Sequence, residues 1–274
     1  ENSIAVPCHT DQSIRNISFK NFPQHLNAKV ICPTCNSEKT KLISKFGSTP
    51  CKSLYKCEDC SNPFDYFKKH WLMNQLFKKL EVIDVEKLTD NSVILEFFIS
   101  NVMKKKFNYF PGQFVTLEID IEGKNYYRTY SICSQKHESN IKIAVKRVVG
   151  GLISNWINEK VKIGDHIKVS MPAGDFVAKK NYSIQKKYLY FAGGSGITPI
   201  FSLIGSKLNS EPNSIHYLVF CNTTQSQVMF KTQLLDLKNK FISRLAIFFI
   251  FSEENNEFDI QNGFISKNKI QLIF

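Results

Sequence analysis

The sequence predicts a multidomain chain: a small ribbon-like module held by cysteines, a six-stranded antiparallel β-barrel, and an incomplete α/β domain built on a parallel sheet. Three observations predict it. Cys32-Pro-Thr-Cys35 and Cys57-Glu-Asp-Cys60 are two Cys-x-x-Cys pairs separated by the 21 residues 36–56. Between Leu80 and Met171, six short segments of strand-like alternation are divided by regular turns. Beyond Lys186 the pattern becomes strand, glycine turn, helix, strand, helix, strand.

A chain of 274 residues has room for about two domains, and 43% hydrophobic with 22% charged residues describes a folded protein rather than a disordered one. The formal charge of +12 invites a nucleic-acid reading. The lysines, however, are scattered among Asn, Ile and Phe and form no basic stripe, so the expectation is a compositional bias and no nucleic-acid partner. No run of eighteen apolar residues occurs and the first residues lack the pattern of a cleaved leader; the reading is therefore no membrane span and a cytoplasmic location. Five of the eight cysteines fall between Cys32 and Cys60, while Cys8, Cys133 and Cys221 stand alone. That clustering points to a metal site in a reducing compartment rather than to a disulfide framework.

Residues 1–27 lack periodicity and read as a tail or the remnant of a preceding domain. Residues 28–70 read as a zinc-ribbon-like module. Each Cys-x-x-Cys turn aims two thiolates at one point, and two turns complete a tetrahedral site, so Cys32, Cys35, Cys57 and Cys60 are the candidate ligands. So small a module buries little apolar surface, and the metal would supply the missing free energy. Cys51 is a fifth thiol nearby, which keeps iron and sulfide open as an alternative to zinc. Phe64, Phe67, Trp71 and Leu72 are spaced for a short helix or an aromatic seam, His70 reads as surface, and 71–79 as a linker.

The barrel, 80–180, begins with Leu80–Lys87 and Val93–Ile99 around the Asp90-Asn91 turn. Phe114–Ile119, Asn125–Ile132, Ile141–Val148 and Asp165–Met171 follow. The strand that ends in Arg128-Thr129-Tyr130-Ser131 carries a fixed cation, a hydroxyl, an aromatic ring and a second hydroxyl. These suit an anionic, planar, redox-active ligand, although four residues at a strand end equally fit a solvated edge. One strand later, Lys146-Arg147 leads to Gly150-Gly151 and a helix over Asn155–Glu159. Such a turn is often merely a turn, yet here its backbone N–H groups and helix dipole could take a phosphate. In the last part, 186–274, Tyr188–Ala192, His216–Cys221 and Leu245–Ser252 read as strands, Ile200–Leu208 and Gln225–Lys240 as helices. Gly193-Gly194-Ser195-Gly196-Ile197-Thr198-Pro199, after a strand and before a helix, favours a dinucleotide diphosphate.

Taken together and in this order, these motifs resemble the ferredoxin–NADP reductase superfamily from about Leu80 onward. The segments VKRVVGGLIS and FAGGSGITPI look most like reductases of multicomponent oxygenases, in particular those of the phenylacetyl-CoA epoxidase type. CPTC, FGSTPCKSLYKC and CEDCSNPFDYFK resemble the C-terminal metal-binding module of the phenylacetate-degradation iron–sulfur maturation family, which suggests a fusion of the two. The resemblance implies FAD and NAD(P)H as cofactors. Arg128 would hold the FAD diphosphate with Thr129 beside it, Tyr130 would pack on the flavin, and Ser131 would reach its N5 edge; Tyr130 and Ser131 are thus the catalytic candidates. Val145, Lys146 and Arg147 would border FAD, with Gly150, Gly151 and Ser154 at its diphosphate. Gly193, Gly194, Gly196, Thr198 and Pro199 would receive NAD(P)H.

Two departures stand out. Phe220-Cys221-Asn222-Thr223 replaces the frequent Tyr-Gly-Asn-Arg, which puts NADPH preference in doubt. The closing Cys-Gly motif and a plant-type ferredoxin domain are not in the sequence, so the α/β domain reads as truncated and a 2Fe-2S centre is expected only if a further C-terminal domain exists. The implied role is an NAD(P)H-dependent flavin reductase feeding an oxygenase component or ferredoxin domain. The rival is a metal-binding maturation or scaffold protein with a vestigial reductase part.

Overall fold

The computed structural model describes residues 3–4, 30–44, 52–67, 77–178, 186–254 and 258–273. The chain divides into two compact units, one of residues 8–76 and one of 1–7 with 77–274. The larger unit takes in β1 (Ser3–Ile4) at its start.

The smaller unit is a three-stranded antiparallel ribbon of β2 (Thr40–Ser44), β3 (Lys52–Cys57) and β4 (Pro63–Phe67). Of the short helix or aromatic seam expected over Phe64, Phe67, Trp71 and Leu72, β4 corrects the helix alternative for the described part: Pro63, Phe64 and Phe67 belong to an edge strand. Proline is tolerated as the first residue of such a strand because its missing N–H interrupts no inner ladder. Tyr55 on β3 decides the pairing, stacking on Phe64 at 6.1 Å and meeting Tyr66 edge-on at 5.6 Å. Cys51, His70, Trp71 and Leu72 lie outside the described residues, as does all of the tail except Ser3–Ile4.

The larger unit holds two sheets. The first contains β5 (Phe77–Thr89), β6 (Ser92–Phe97), β7 (Phe114–Ile121), β8 (Lys124–Ser131), β9 (Ile141–Lys146) and β10 (His166–Ser170). Their order is β8-β7-β10-β5-β6-β9, antiparallel throughout. The long β5 makes the corner. It pairs with β10 over Phe77–Glu81, then with β6 from Val82, and a register shift falls between Val82 and Asp84. The sheet thereby curls until its edges β8 and β9 meet at one bridge, Ile132–Ile143. Leu80, Val82, Leu95, Phe97, Leu117 and Ile143 fill the interior. Helix α1 (Leu152–Lys160) closes it with Ile153 and Ile157.

The second sheet is parallel, in the order β1-β11-β12-β13, with β11 (Lys186–Gly193), β12 (Ser214–Asn222) and β13 (Leu245–Phe251). Helices α2 (Ile197–Ser210), α3 (Lys231–Lys240) and α4 (Lys267–Ile273) accompany it. The helix expected over Gln225–Lys240 is broken. A 3₁₀ turn covers Gln225–Gln227, and Phe230 takes a left-handed φ of 59°. A bulky residue pays about 1–2 kcal/mol for that conformation. Phe230 offsets the cost through burial, stacked 4.5 Å from Phe201 of α2.

The two sheets are joined along a seam of small side chains on α2. Ser202 donates to the Ser134 carbonyl at 2.6 Å, Ser206 accepts from the Lys136 N–H at 2.9 Å, and Gly205 leaves room for the Gln135 side chain. At the base of the parallel sheet His216 is stacked on Tyr188 and Tyr190, with Nε2 2.8 Å from the Ser214 hydroxyl and Nδ1 3.2 Å from that of Tyr190. Burial, with the nearby Arg244 cation, brings its pKa down to about 4, while Glu211 pulls the other way. The unfolded chain takes up this proton near the ordinary histidine range and the folded chain does not until about pH 4. This contribution is complete above that range and lost as pH falls toward 4, with a slope of up to about 1.4 kcal/mol per pH unit. Chemical denaturation of wild type and His216→Phe between pH 6.5 and 4.5 should show a shallower slope in the variant. Equal slopes would assign the acid sensitivity elsewhere.

Candidate functional sites

In the ribbon the four sulfurs lie within 4.8 Å of one another, with Cys32–Cys60 at 3.6 Å and Cys35–Cys57 at 3.5 Å. A tetrahedral zinc site with bonds near 2.3 Å sets sulfurs about 3.8 Å apart, so the cluster already has the size of a one-metal cage. The two turns are alike. Asn36 and Ser61, each directly after the second cysteine of its pair, both have φ 58°. Burial works against the Cys32 thiolate, but the backbone N–H groups of Cys35 and Thr34 and the sulfurs of Cys60 and Cys35 outweigh it and bring its pKa to about 6. Cys57 is lowered chiefly by the Cys60 N–H. Sequence reasoning missed the links that hold one turn against the other: Ser37 donates to Asp59 at 2.6 Å and Asn62 to the Thr34 hydroxyl at 2.9 Å. Short polar residues around Cys-x-x-Cys were their only signal.

In the larger unit the Ile132–Ile143 bridge is the point from which β8 and β9 diverge. Antiparallel extension from it would set Tyr130 opposite Val145 and Arg128 opposite Arg147, yet no ladder continues. The result is a gap between two sheet edges. On its β8 side Arg128 is exposed, with Nη1 on the Tyr127 carbonyl at 2.8 Å. Thr129 lies beside Thr116, hydroxyls 3.4 Å apart, and Tyr130 is half-buried against the sheet core. Burial pushes the Tyr130 phenol up to about 12 although Arg128 pulls it down, so the hydroxyl is a proton donor at neutral pH. Ser131 ends the strand, partly exposed.

On the β9 side the expected residues divide. Val145 is fully buried, because strand alternation turns it into the core, and could border a ligand only through its backbone. Lys146 reaches Gln227 at 2.9 Å. Arg147 pairs with Glu159 at 2.5 Å, while its Nε is buried without a partner among the described residues. Gly150 needs its φ of 70°, and a Cβ on Gly151 would come within 2.7 Å of the Ser154 hydroxyl. That hydroxyl accepts from the Val148 N–H at 3.0 Å and donates to the Gly151 carbonyl at 3.3 Å. Internal geometry therefore accounts for both glycines and for Ser154; what the turn offers a ligand is the start of α1, whose N-cap has no side chain to meet the first N–H groups.

The turn after β11 differs. Gly194 has φ 49°, but Gly193 and Gly196 have ordinary dihedrals, and a Cβ on either would meet nothing within 4 Å. No contact among the described residues requires these two glycines. Their bare backbone lies open at the start of α2, where Gly196 supplies no capping side chain. Thr198 is occupied, donating to the Ser195 carbonyl at 3.0 Å. Pro199 sits in the first turn of α2, where a missing N–H costs little. The Gly194–Gly196 turn touches β9, the strand that also carries the bridge to Ile132, so both candidate sites border one strand. Among the described residues no helix is long and apolar enough to cross a membrane.

Comparison with known proteins agrees with this division. Residues 18–68 match the PaaD zinc beta ribbon domain, 79–178 the oxidoreductase FAD-binding domain and 191–274 the oxidoreductase NAD-binding domain. The chain is 35% identical over 197 residues to a subunit of the 1,2-phenylacetyl-CoA epoxidase of Escherichia coli, covering 72% of this chain and 55% of that protein. It is 34% identical over 165 residues to the ferredoxin reductase component of 3-ketosteroid-9-alpha-monooxygenase of Rhodococcus rhodochrous, 60% of this chain and 46% of the other. It thus spans about half the length of these relatives. The flavohem-like FAD/NAD binding domain of nitric oxide dioxygenase from Vibrio cholerae shares the fold, with a TM-score of 0.61 at 21% identity over 69% of this chain and 80% of that one. The chain joins a PaaD-type zinc ribbon to the FAD-binding and NAD-binding domains of ferredoxin–NADP reductase-like oxidoreductases.

Proposed function

We propose that the larger unit is the flavin- and nicotinamide-binding part of an NAD(P)H-dependent reductase that supplies an oxygenase component, directly or through a ferredoxin-type domain. Phenylacetyl-CoA epoxidase is the favoured system, on the strength of the 35% identity to one of its subunits. The observation that carries the reading is the unladdered gap between β8 and β9, with the exposed Arg128, in no ion pair among the described residues, on one side and the unpartnered Arg147 Nε on the other. A flavin dinucleotide has the diphosphate to occupy those cations and the flat ring to lie beside Tyr130. Bound FAD would accept two electrons from NAD(P)H and release them singly.

The residues of this chain bind and orient. Arg128 and Arg147 would neutralise the FAD diphosphate, helped by the N–H groups at the start of α1. Tyr130 would shield one side of the flavin from water, and the Ser131 hydroxyl would donate to its N5 edge. The open backbone of Gly193 and Gly196 would take the nicotinamide dinucleotide's diphosphate, and the Ser134–Ser202 seam holds that turn in place. No general base or nucleophile is called for.

In the smaller unit we assign the four cysteines to one zinc ion, a structural site: sulfur separations of 3.5 and 3.6 Å suit a single metal, whereas several iron and sulfide atoms would spread the thiolates. The self-contained ribbon also favours a second role as a metal-held scaffold. Diaphorase activity with ferricyanide separates the two, since a scaffold with a vestigial reductase part would show none.

Loss of one charge-assisted contact costs about 1.5–3 kcal/mol. Arg128→Ala should accordingly weaken FAD retention at least about tenfold in equilibrium dialysis; unchanged retention would remove Arg128 from the site. Elemental analysis of purified protein should give one zinc per chain, lost in Cys57→Ser together with protection of the ribbon from proteolysis. Iron with acid-labile sulfide in place of zinc would overturn the assignment.

A further inference from the structure

The C-terminal end of β12 keeps polar atoms that no described residue satisfies. Asn222 is 7% exposed, and neither its Oδ1 nor its Nδ2 has a partner; the neighbouring Thr223 hydroxyl is shielded and unpartnered as well. Their backbone carbonyls are engaged. The Ser252 N–H donates to the Asn222 carbonyl and the Glu253 N–H to that of Thr223, both at 3.0 Å. The sheet therefore fixes both residues in place while their polar ends stay idle. An idle buried amide carries a free-energy cost that a ligand would remove.

Position identifies the ligand group. Gly193 pairs with Cys221 across β11 and β12, and the Gly194–Gly196 turn touches β12. Strand alternation puts Asn222 on the side of Leu218 and Phe220, which pack in one core with α2. In a strand–helix–strand unit whose glycine turn takes a dinucleotide diphosphate, the end of the second strand reads the adenosine ribose. A neutral or acidic hydrogen-bonding group there accepts the 2′-hydroxyl, whereas an arginine accepts a 2′-phosphate.

This end of β12 is neutral to acidic. Asn222 and Thr223 are followed by Thr224, Gln225, Ser226 and Gln227. The carboxylate of Glu254 accepts from the Gln225 N–H at 2.9 Å, and Glu253 stands beside it, exposed. Two cations nearby are each held by a neutral acceptor, the first of them within this segment. Lys146 is held by Gln227, and Lys269, whose field reaches Cys221 on the opposite side of the strand, is held by the Asn262 carbonyl.

We propose that Asn222 and Thr223 are the ribose-reading pair of the nicotinamide site and that they select NADH over NADPH. The carboxamide and hydroxyl would share hydrogen bonds with the 2′,3′-diol, and Glu253 and Glu254 would repel a 2′-phosphate. The inference rests on the dinucleotide-binding role assigned above to the glycine turn.

Isothermal titration of the full chain with ADP-ribose and with its 2′-phosphate tests it without requiring turnover. Wild type should bind ADP-ribose at least about tenfold more tightly, the factor expected of one or two neutral hydrogen bonds plus like-charge repulsion. Asn222→Ala should weaken ADP-ribose about tenfold without lowering Tm, because the group removed has no partner among the described residues. Thr223→Arg should narrow or reverse the preference. Equal or tighter binding of the 2′-phosphate by wild type would overturn the selectivity while leaving the glycine turn as a nucleotide site. A lower Tm with unchanged affinity in Asn222→Ala would make Asn222 structural and overturn the assignment. Binding of neither ligand would overturn the inference together with the reading on which it rests.

Discussion

The two edges of the antiparallel sheet meet at the Ile132–Ile143 bridge, and most of the larger unit's site follows from where that bridge falls. On one side of it β8 runs back through Ser131, Tyr130 and Arg128. On the other the chain continues straight through Cys133 to Lys136, which α2 grips through Ser202 and Ser206. Nine residues thus form one wall of the gap, fasten the sheet and seat the second nucleotide domain. The curl of β5 at its register shift is what brings the edges near enough to meet once, and divergence beyond the bridge leaves their backbone groups unladdered. A sheet that closed with a full ladder would leave no gap there.

Glycines separate into those the fold needs and those it does not. Gly150 and Gly151 are explained by a positive φ and by the close approach of Ser154, whereas Gly193 and Gly196 answer to neither. A small residue where no described residue crowds it leaves room for something outside the chain. The same logic runs through the polar groups. Buried polar atoms are nearly always partnered, and the described side-chain exceptions are confined to Arg147, just beyond β9, and to Asn222 and Thr223 at the end of β12. The two kinds of observation are independent, and at one place they are neighbours: Gly193 of β11 pairs with Cys221, the residue before Asn222 on β12.

Much of this was legible in the sequence because its signals are local. Two-residue alternation gave the six strands, the Cys-x-x-Cys spacing gave the cage, and the strand–glycine–helix order gave the parallel sheet. What was hidden depends on partners distant in sequence. The aromatic spacing of Phe64 and Phe67 looked helical until Tyr55 of a neighbouring strand decided otherwise. The break at Phe230 requires its pocket against Phe201. Ser202, Gly205 and Ser206 are an unremarked small face of α2 until Gln135 approaches them. For Val145, Ser154 and Thr198 the motif marked the segment but not the state of the side chains, which burial and hydrogen bonds within the turns already occupy.

The account stands on the claim that the gap between β8 and β9 holds a flavin within reach of a dinucleotide at the turn after β11. Anaerobic rapid mixing of the FAD-loaded chain with NADH tests that claim most directly. The account predicts loss of the flavin's visible absorbance in a single turnover, with a rate that saturates as NADH rises. A chain that retains FAD but is not bleached by either nicotinamide nucleotide, or that never retains FAD at all, would contradict it.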